Sequence, residues 1–267
     1  MTGRGEGISS AKNPRIRAAA ALRDRRSRDE AGLTLLDGSR ELARALAGGA
    51  RVVEAFVDAD RLDAEGTEAV ALAAARGATV VPVSPAALDR LAFGGRSEGV
   101  VATVRIPDLD LALLELPADP LVVVIEGVEK PGNLGAVLRS ADGAGADAVI
   151  ASDPRTDLFN PNAIRASLGA IFAVPVAAGT GAVVRAMLAA RGISVITARV
   201  DAEALYSDVD LRGPVAIVLG SEAYGLTDGW SGAGVLPVRL PMLGVADSLN
   251  VSIAAGVLLY EARRQRG

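Results

Sequence analysis

The stretch Leu121-Val-Val-Val-Ile125 admits few architectures. Its apolar residues are continuous, so as a strand it offers no face to solvent and must be covered on both sides. Short apolar runs recur at 148–152, 194–198 and 215–219, each separated from the next by helical or turn-forming sequence. Strands alternating with helices predict a parallel sheet that binds ligands at the carboxyl ends of its strands.

The first hundred residues read differently. Asn13-Pro14 opens a helix expected to reach about Arg26, and short strands and helices then alternate up to a closing strand at 99–105. This describes a compact α/β domain over 1–105. Residues 106–120 hold three prolines and several acids and read as a linker, which leaves 121–267 as a second α/β domain. Within that domain we expect a helix at 162–168, a short strand at 172–175 and a last strand at 238–240.

Composition narrows the chemistry. The chain has no His and no Cys. That excludes Ser-His-Asp and Cys-His nucleophiles, His- or Cys-ligated zinc and imidazole acid–base work. A carboxylate-held magnesium remains open, though no metal is expected. No apolar run is long enough to span a bilayer, and the first residues lack the apolar core of a secretory signal, so the expected setting is cytoplasmic. The net charge of −4 is unevenly spread: Lys12, Arg15, Arg17, Arg23, Arg25, Arg26 and Arg28 stand against a single acid in their own window, Asp24. This segment is either a solvated helix face or an arm that meets phosphate.

The last stretch, Arg239 to Arg266, reads as a strand end, a Pro/Gly loop and a helix that is apolar nearly all round from Leu249 to Tyr260, the pattern of a buried helix. Ser248 is a natural N-cap. Asn250 then needs partners for a buried amide, either in the protein or in a ligand held between the loop 241–247 and the helix N-terminus. The basic end, with Arg263, Arg264 and Arg266, suits the negative pole of the helix.

Gly132-Asn133-Leu134-Gly135 follows the buried strand but fails the G-x-G-x-x-G spacing of a dinucleotide site. Three motifs do occur in order, each behind a strand. They are Asn133, Gly135, Ala136 and Arg139; Gly220 and Glu222, with Gly225 following; and Pro241-Met242 followed by Ser248-Leu-Asn-Val-Ser252. Together they resemble the SpoU/TrmH branch of the SPOUT RNA methyltransferases over 121–266. Residues 9–105 are similar in layout to that family's RNA-substrate-binding domain, with Ser97-Glu98-Gly99 where relatives often carry His-Gln-Gly.

The resemblance implies a parallel-sheet SPOUT domain with a deep trefoil knot, a bent S-adenosyl-L-methionine bound in the knot, and a homodimer with the site near its interface. It implies that Thr197, Gly220, Leu240 and Leu249 line the cofactor pocket with Met242 nearby. Asn133, Arg139, Glu222, Ser248 and Asn250 would form the polar catalytic set. If the basic segment is a phosphate-contacting arm, Lys12, Arg15, Arg23, Arg25 and Arg26 are the residues expected to meet RNA. The implied reaction is methylation of a ribose 2′-hydroxyl, with 23S rRNA favoured because tRNA enzymes usually lack the front domain. A tRNA enzyme, a resistance-conferring rRNA enzyme and a silent RNA binder are the alternatives. Arg139 is open between a base, a phosphate or alkoxide clamp, and a helix salt bridge.

Overall fold

The computed structural model describes residues 7–93, 98–221 and 224–267. They form two compact units: one contains the chain up to Pro107 together with Phe159–Ala173, the other Asp108–Leu158 and Val174–Gly267.

In the first unit, helices α1 (Pro14–Ala21) and α2 (Arg25–Ala31) precede strand β1 (Leu33–Asp37). The single helix expected to Arg26 is broken, because Asp24 leaves helical geometry to accept from the Ser27 amide and cap a second helix. Helix α3 (Ser39–Ala47), strand β2 (Val52–Val57), helix α4 (Ala64–Ala75), strand β3 (Thr79–Pro82), helix α5 (Pro85–Leu91) and strand β4 (Val100–Arg105) follow. The strands form one sheet in the order β1-β4-β2-β3, with β4 antiparallel to both neighbours and β2 parallel to β3. Ile16, Leu22, Leu35, Phe56, Leu88 and Val101 fill a core on one side of it.

The second unit begins earlier than the strand at 121. Residues expected to form a linker contribute a 3-10 turn, Leu111–Leu113, and Leu111 and Leu114 are buried in this unit's core. Strand β5 (Leu121–Glu126), helix α6 (Pro131–Ala144) and strand β6 (Ala148–Ser152) come next. Helix α7 (Pro161–Ala166) falls in the segment that packs with the first unit. The strand expected at 172–175 is instead a 3-10 turn at Ala170–Phe172, and strand β7 (Val176–Gly179) starts after Pro175. Helix α8 (Gly181–Ala190) and strands β8 (Ser194–Ala198), β9 (Val215–Leu219) and β10 (Val235–Val238) lead to the last helix, α9 (Val251–Arg266). Strand β10 therefore ends where the last strand was expected to begin.

Six strands make a wholly parallel sheet in the order β10-β8-β9-β5-β6-β7. Every residue of β5, β6 and β9 is buried, as their unbroken apolar runs require.

Helix α9 buries one face only. Ala255, Leu258, Leu259 and Ala262 are enclosed, whereas Ile253, Val257 and Tyr260 are exposed in the single chain. The expectation of a helix buried all round is thus corrected: periodicity reveals apolar faces but does not say which of them this chain covers. Helices α6 and α9 pack in parallel. The Tyr260 hydroxyl lies over Gly143, Gly256 approaches Ser140, and Arg263 donates to the carbonyls of Ala144 and Gly145 at 2.8 and 3.0 Å.

The terminal arginines are structural as well as dipole-compatible. Arg266 donates to the carbonyls of Leu211, Asp119, Pro120 and Gly213. Arg264, with Gln265, binds Glu261 and holds its carboxyl down at about 2.

Candidate active site

Parallel packing of α6 and α9 carries both N-termini to the carboxyl edge of the sheet. There Asn250, rather than Ser248, is the N-cap: its Oδ1 accepts from the Ser252 amide at 2.9 Å and from the Ser252 hydroxyl at 2.7 Å. Its other amide atom remains available, and Nδ2 donates to Asn133 Oδ1 at 3.4 Å. Asn133 is the third residue of α6, which opens on Pro131 without a side-chain cap. Two residues that are 117 apart in sequence thus join the positive ends of two helices.

A cleft of about 360 Å³ opens at the carboxyl ends of β8, β9 and β10. Ala198, Leu219, Leu240, Met242, Leu249 and Leu258 supply its apolar wall, and Gly220, Ser221 and Ser248 supply polar edges. A smaller hollow of about 290 Å³ shares Gly220, Ser221 and Val251 with it and continues past Glu129 and Lys130 at the end of β5.

The loop after β9 closes on itself. Ser221 and Gly225 exchange backbone hydrogen bonds at 3.1 and 3.0 Å. A side chain at Gly220 would overlap the Gly225 backbone, and Gly225 itself sits at φ +67°. Both positions therefore require glycine, one for close approach and one for left-handed backbone. The far end of the loop is pinned by Glu126 at the tip of β5, which accepts from the Thr227 amide at 2.8 Å and hydroxyl at 2.7 Å.

Four of the five expected cofactor residues, Gly220, Leu240, Met242 and Leu249, line this cleft, and so does Ser248 from the polar set. Thr197 does not. It is wholly buried in β8, one residue before the lining begins at Ala198, and its hydroxyl has no hydrogen-bond partner among the described residues. Glu222 and Ser97 lie outside the described residues. Arg139 is exposed and makes no ion pair or side-chain hydrogen bond with any described residue. Among them, therefore, no helix salt bridge holds it.

The basic segment is less available than its sequence suggests. Arg15 pairs with Glu54 at 2.6 Å, Arg25 with Asp29 at 3.6 Å and Arg26 with Glu30 at 2.7 Å. Arg23 donates to the carbonyls of Arg90, Leu91 and Ala92 at the end of α5, and Arg28 is buried against the carbonyls of Leu22 and Arg23. Lys12 and Arg17 are exposed and make no side-chain bond to any described residue.

Sequence reasoning missed Glu126, Ala198, Arg199 and Tyr224. Glu126 and Arg199 carried a signal, each a charge at the end of a buried apolar run. The others are set by how loops fold back over the strand ends.

Fold and cleft define a parallel-sheet α/β protein that takes a small molecule at the carboxyl ends of its strands. The profile described as the SpoU rRNA Methylase family matches residues 120–260, and that of the MRM3-like substrate binding domain matches residues 13–102. The chain belongs to the SpoU rRNA methylase family. It is 38% identical over 241 residues to the 23S rRNA (guanosine-2′-O-)-methyltransferase RlmB of Burkholderia sp., covering 88% of this chain and 97% of that one. It is similar to a crystal structure of an RNA 2′-O ribose methyltransferase, with a TM-score of 0.84 and 40% identity over 97% of this chain and 98% of that one. An AdoMet-bound rRNA methyltransferase from Sinorhizobium meliloti superposes with a TM-score of 0.87 at 28% identity, over 96% and 97% of the two chains.

Proposed function

We propose that this chain is an S-adenosylmethionine-dependent methyltransferase acting on a ribose 2′-hydroxyl of 23S rRNA. The observation that carries the reading is an apolar cleft of cofactor size at the carboxyl ends of the strands, with the Asn133–Asn250 contact made next in sequence to Val251, which lines both the cleft and the adjoining hollow. The residues present suit the cofactor. The apolar wall of Leu219, Leu240, Leu249 and Leu258 would take an adenosyl group, and the closed loop at Gly220 would offer backbone rather than side chains to it. Thr197 leaves an orphaned hydroxyl next to that wall.

When bound, S-adenosylmethionine supplies a methyl on a sulfonium that is its own leaving group, so no His, Cys or metal is demanded of the protein. The chain's part is alignment. The two helix N-termini and the Asn133–Asn250 amides present donors where negative charge develops on the ribose oxygen. Arg139, always protonated, does not serve as the base; it clamps the neighbouring phosphate or the developing alkoxide while the 2′-hydroxyl proton passes to solvent water. That it bonds to no side chain or carbonyl among the described residues supports that role. Glu222 and Ser248 complete the polar set, as the motif resemblance implies.

On this reading the first domain, 1–105, holds the RNA, with Lys12 and Arg17 better placed to meet phosphate than Arg15, Arg23, Arg25 and Arg26. The active form is a homodimer, and the exposed stripe of Ile253, Val257 and Tyr260 supports it, since one face of a helix rarely leaves that much apolar surface in water. The segment after β10 is threaded as a knot. Its Arg239 amide donates to the Ala204 carbonyl and its carbonyl accepts from the Tyr206 amide, a pairing with the 199–214 connection that supports the threading. No helix among the described residues is long and apolar enough to cross a membrane. Work on 23S rRNA would set the protein in the cytoplasm.

Mapping 2′-O-methyl groups in rRNA from cells with and without the gene tests the reading. Loss of one 23S site on deletion is the expected result; unchanged 23S methylation with a lost tRNA site would replace the substrate.

A further inference from the structure

Tyr224 is 79% exposed, although it belongs to the wall of the cleft. It stands on the closed loop after β9, where its amide donates to the Ser221 hydroxyl at 3.2 Å. The guanidinium of Arg155, from the loop after β6, lies over the ring at 5.9 Å. Arg155 is itself held. Its own amide and that of Thr156 donate to the Val128 carbonyl at 3.1 Å, and its side chain pairs with Glu129 at 2.7 Å. Three separate loops at the carboxyl edge therefore combine to fix one exposed aryl–guanidinium pair beside the candidate site.

An exposed tyrosine does little for stability, because its ring is left in water. What it offers is a flat apolar face backed by a cation. A nucleotide whose ribose enters a concave cleft is most easily supplied by single-stranded RNA, where its base is unstacked and a replacement stack offsets the cost. Aromatic rings and guanidinium planes are the surfaces on which unstacked bases come to rest. We propose that Tyr224, oriented by Arg155 and Glu129, is the stacking platform for the base of the target nucleotide, or of its immediate neighbour, in single-stranded RNA. The proposal rests on the reading of the cleft as a ribose methylation site, and it assigns Tyr224 to the RNA and not to the cofactor.

The test compares wild type, Tyr224→Ala and Tyr224→Phe. Transfer of methyl to 23S rRNA is measured as kcat/KM, and S-adenosylmethionine affinity is measured separately by calorimetry. Tyr224→Ala should lower kcat/KM for RNA by about tenfold or more while cofactor affinity stays within about twofold, as for loss of one base stack. Tyr224→Phe keeps the ring and should restore activity. Wild-type kcat/KM in Tyr224→Ala, failure of Tyr224→Phe to rescue, or a fall in cofactor affinity that matches the fall in kcat/KM would each overturn the platform. An inactive wild type would overturn the methyltransferase reading and the platform with it, whereas an active wild type beside an equally active Tyr224→Ala protein removes the platform alone.

Discussion

The Asn250 amide donates to Asn133 at 3.4 Å while its carbonyl oxygen caps α9 through Ser252. One side chain thus does two separable things, starting a helix and tying it to α6. Asn250→Ala removes both. Removing the cap should cost about 1 kcal/mol, or a few degrees in Tm. Asn250→Ser restores an N-cap oxygen but cannot reach Asn133 with an amide. We expect it to recover the Tm and not the turnover, measured by thermal melts and single-turnover methyl transfer. Full activity in Asn250→Ser would reduce Asn250 to a cap.

Arg139→Lys preserves charge and loses the planar fork. The protein should fold and bind S-adenosylmethionine as wild type does, with turnover lower by about 10²-fold, as for loss of a preorganised charge interaction. Single-turnover rates at saturating cofactor and RNA check it. Near-equal rates would return Arg139 to a solvated helix position.

The basic segment divides into committed and uncommitted charges. Changing Lys12 and Arg17 to Ala should lower the log–log salt slope of RNA binding by about one for each phosphate that these side chains neutralise. Changing Arg25 and Arg26, already paired with Asp29 and Glu30, should lower it less. Equilibrium binding across a salt series decides the order, and the reverse order would place the RNA on the α2 face.

The exposed stripe on α9 predicts a dimer at micromolar concentration by sedimentation. Ile253 is 55% exposed in the single chain, so Ile253→Glu costs a monomer little and should split the dimer. A wild-type monomer, or a dimer undisturbed by Ile253→Glu, would contradict the arrangement.

The strands were legible where burial leaves no choice. β5 and β9 are continuous apolar runs, and both lie inside the sheet, covered on both faces. Edges were harder: β7 and β10 at the two rims carry mixed burial, and turn chemistry at Gly169 and Pro175 moved β7 along the chain. The cleft was legible through motif order, which brought Gly220, Leu240, Met242, Ser248 and Leu249 to one wall. The N-cap was misplaced at Ser248 because capping depends on one residue's φ and ψ, which Ser248 could equally have adopted. The neutralisation of Arg15 by Glu54 comes from the fold, since the two stand 39 residues apart.

The most direct test is methyl transfer itself. Purified protein is incubated with methyl-labelled S-adenosylmethionine and 23S rRNA from cells lacking the gene, and the RNA is then hydrolysed in alkali. A methylated 2′-oxygen cannot attack the adjacent phosphate, so the label should remain in alkali-stable dinucleotides, one site per RNA. Cofactor binding without transfer, or label found wholly in mononucleotides as a methylated base, would contradict the account.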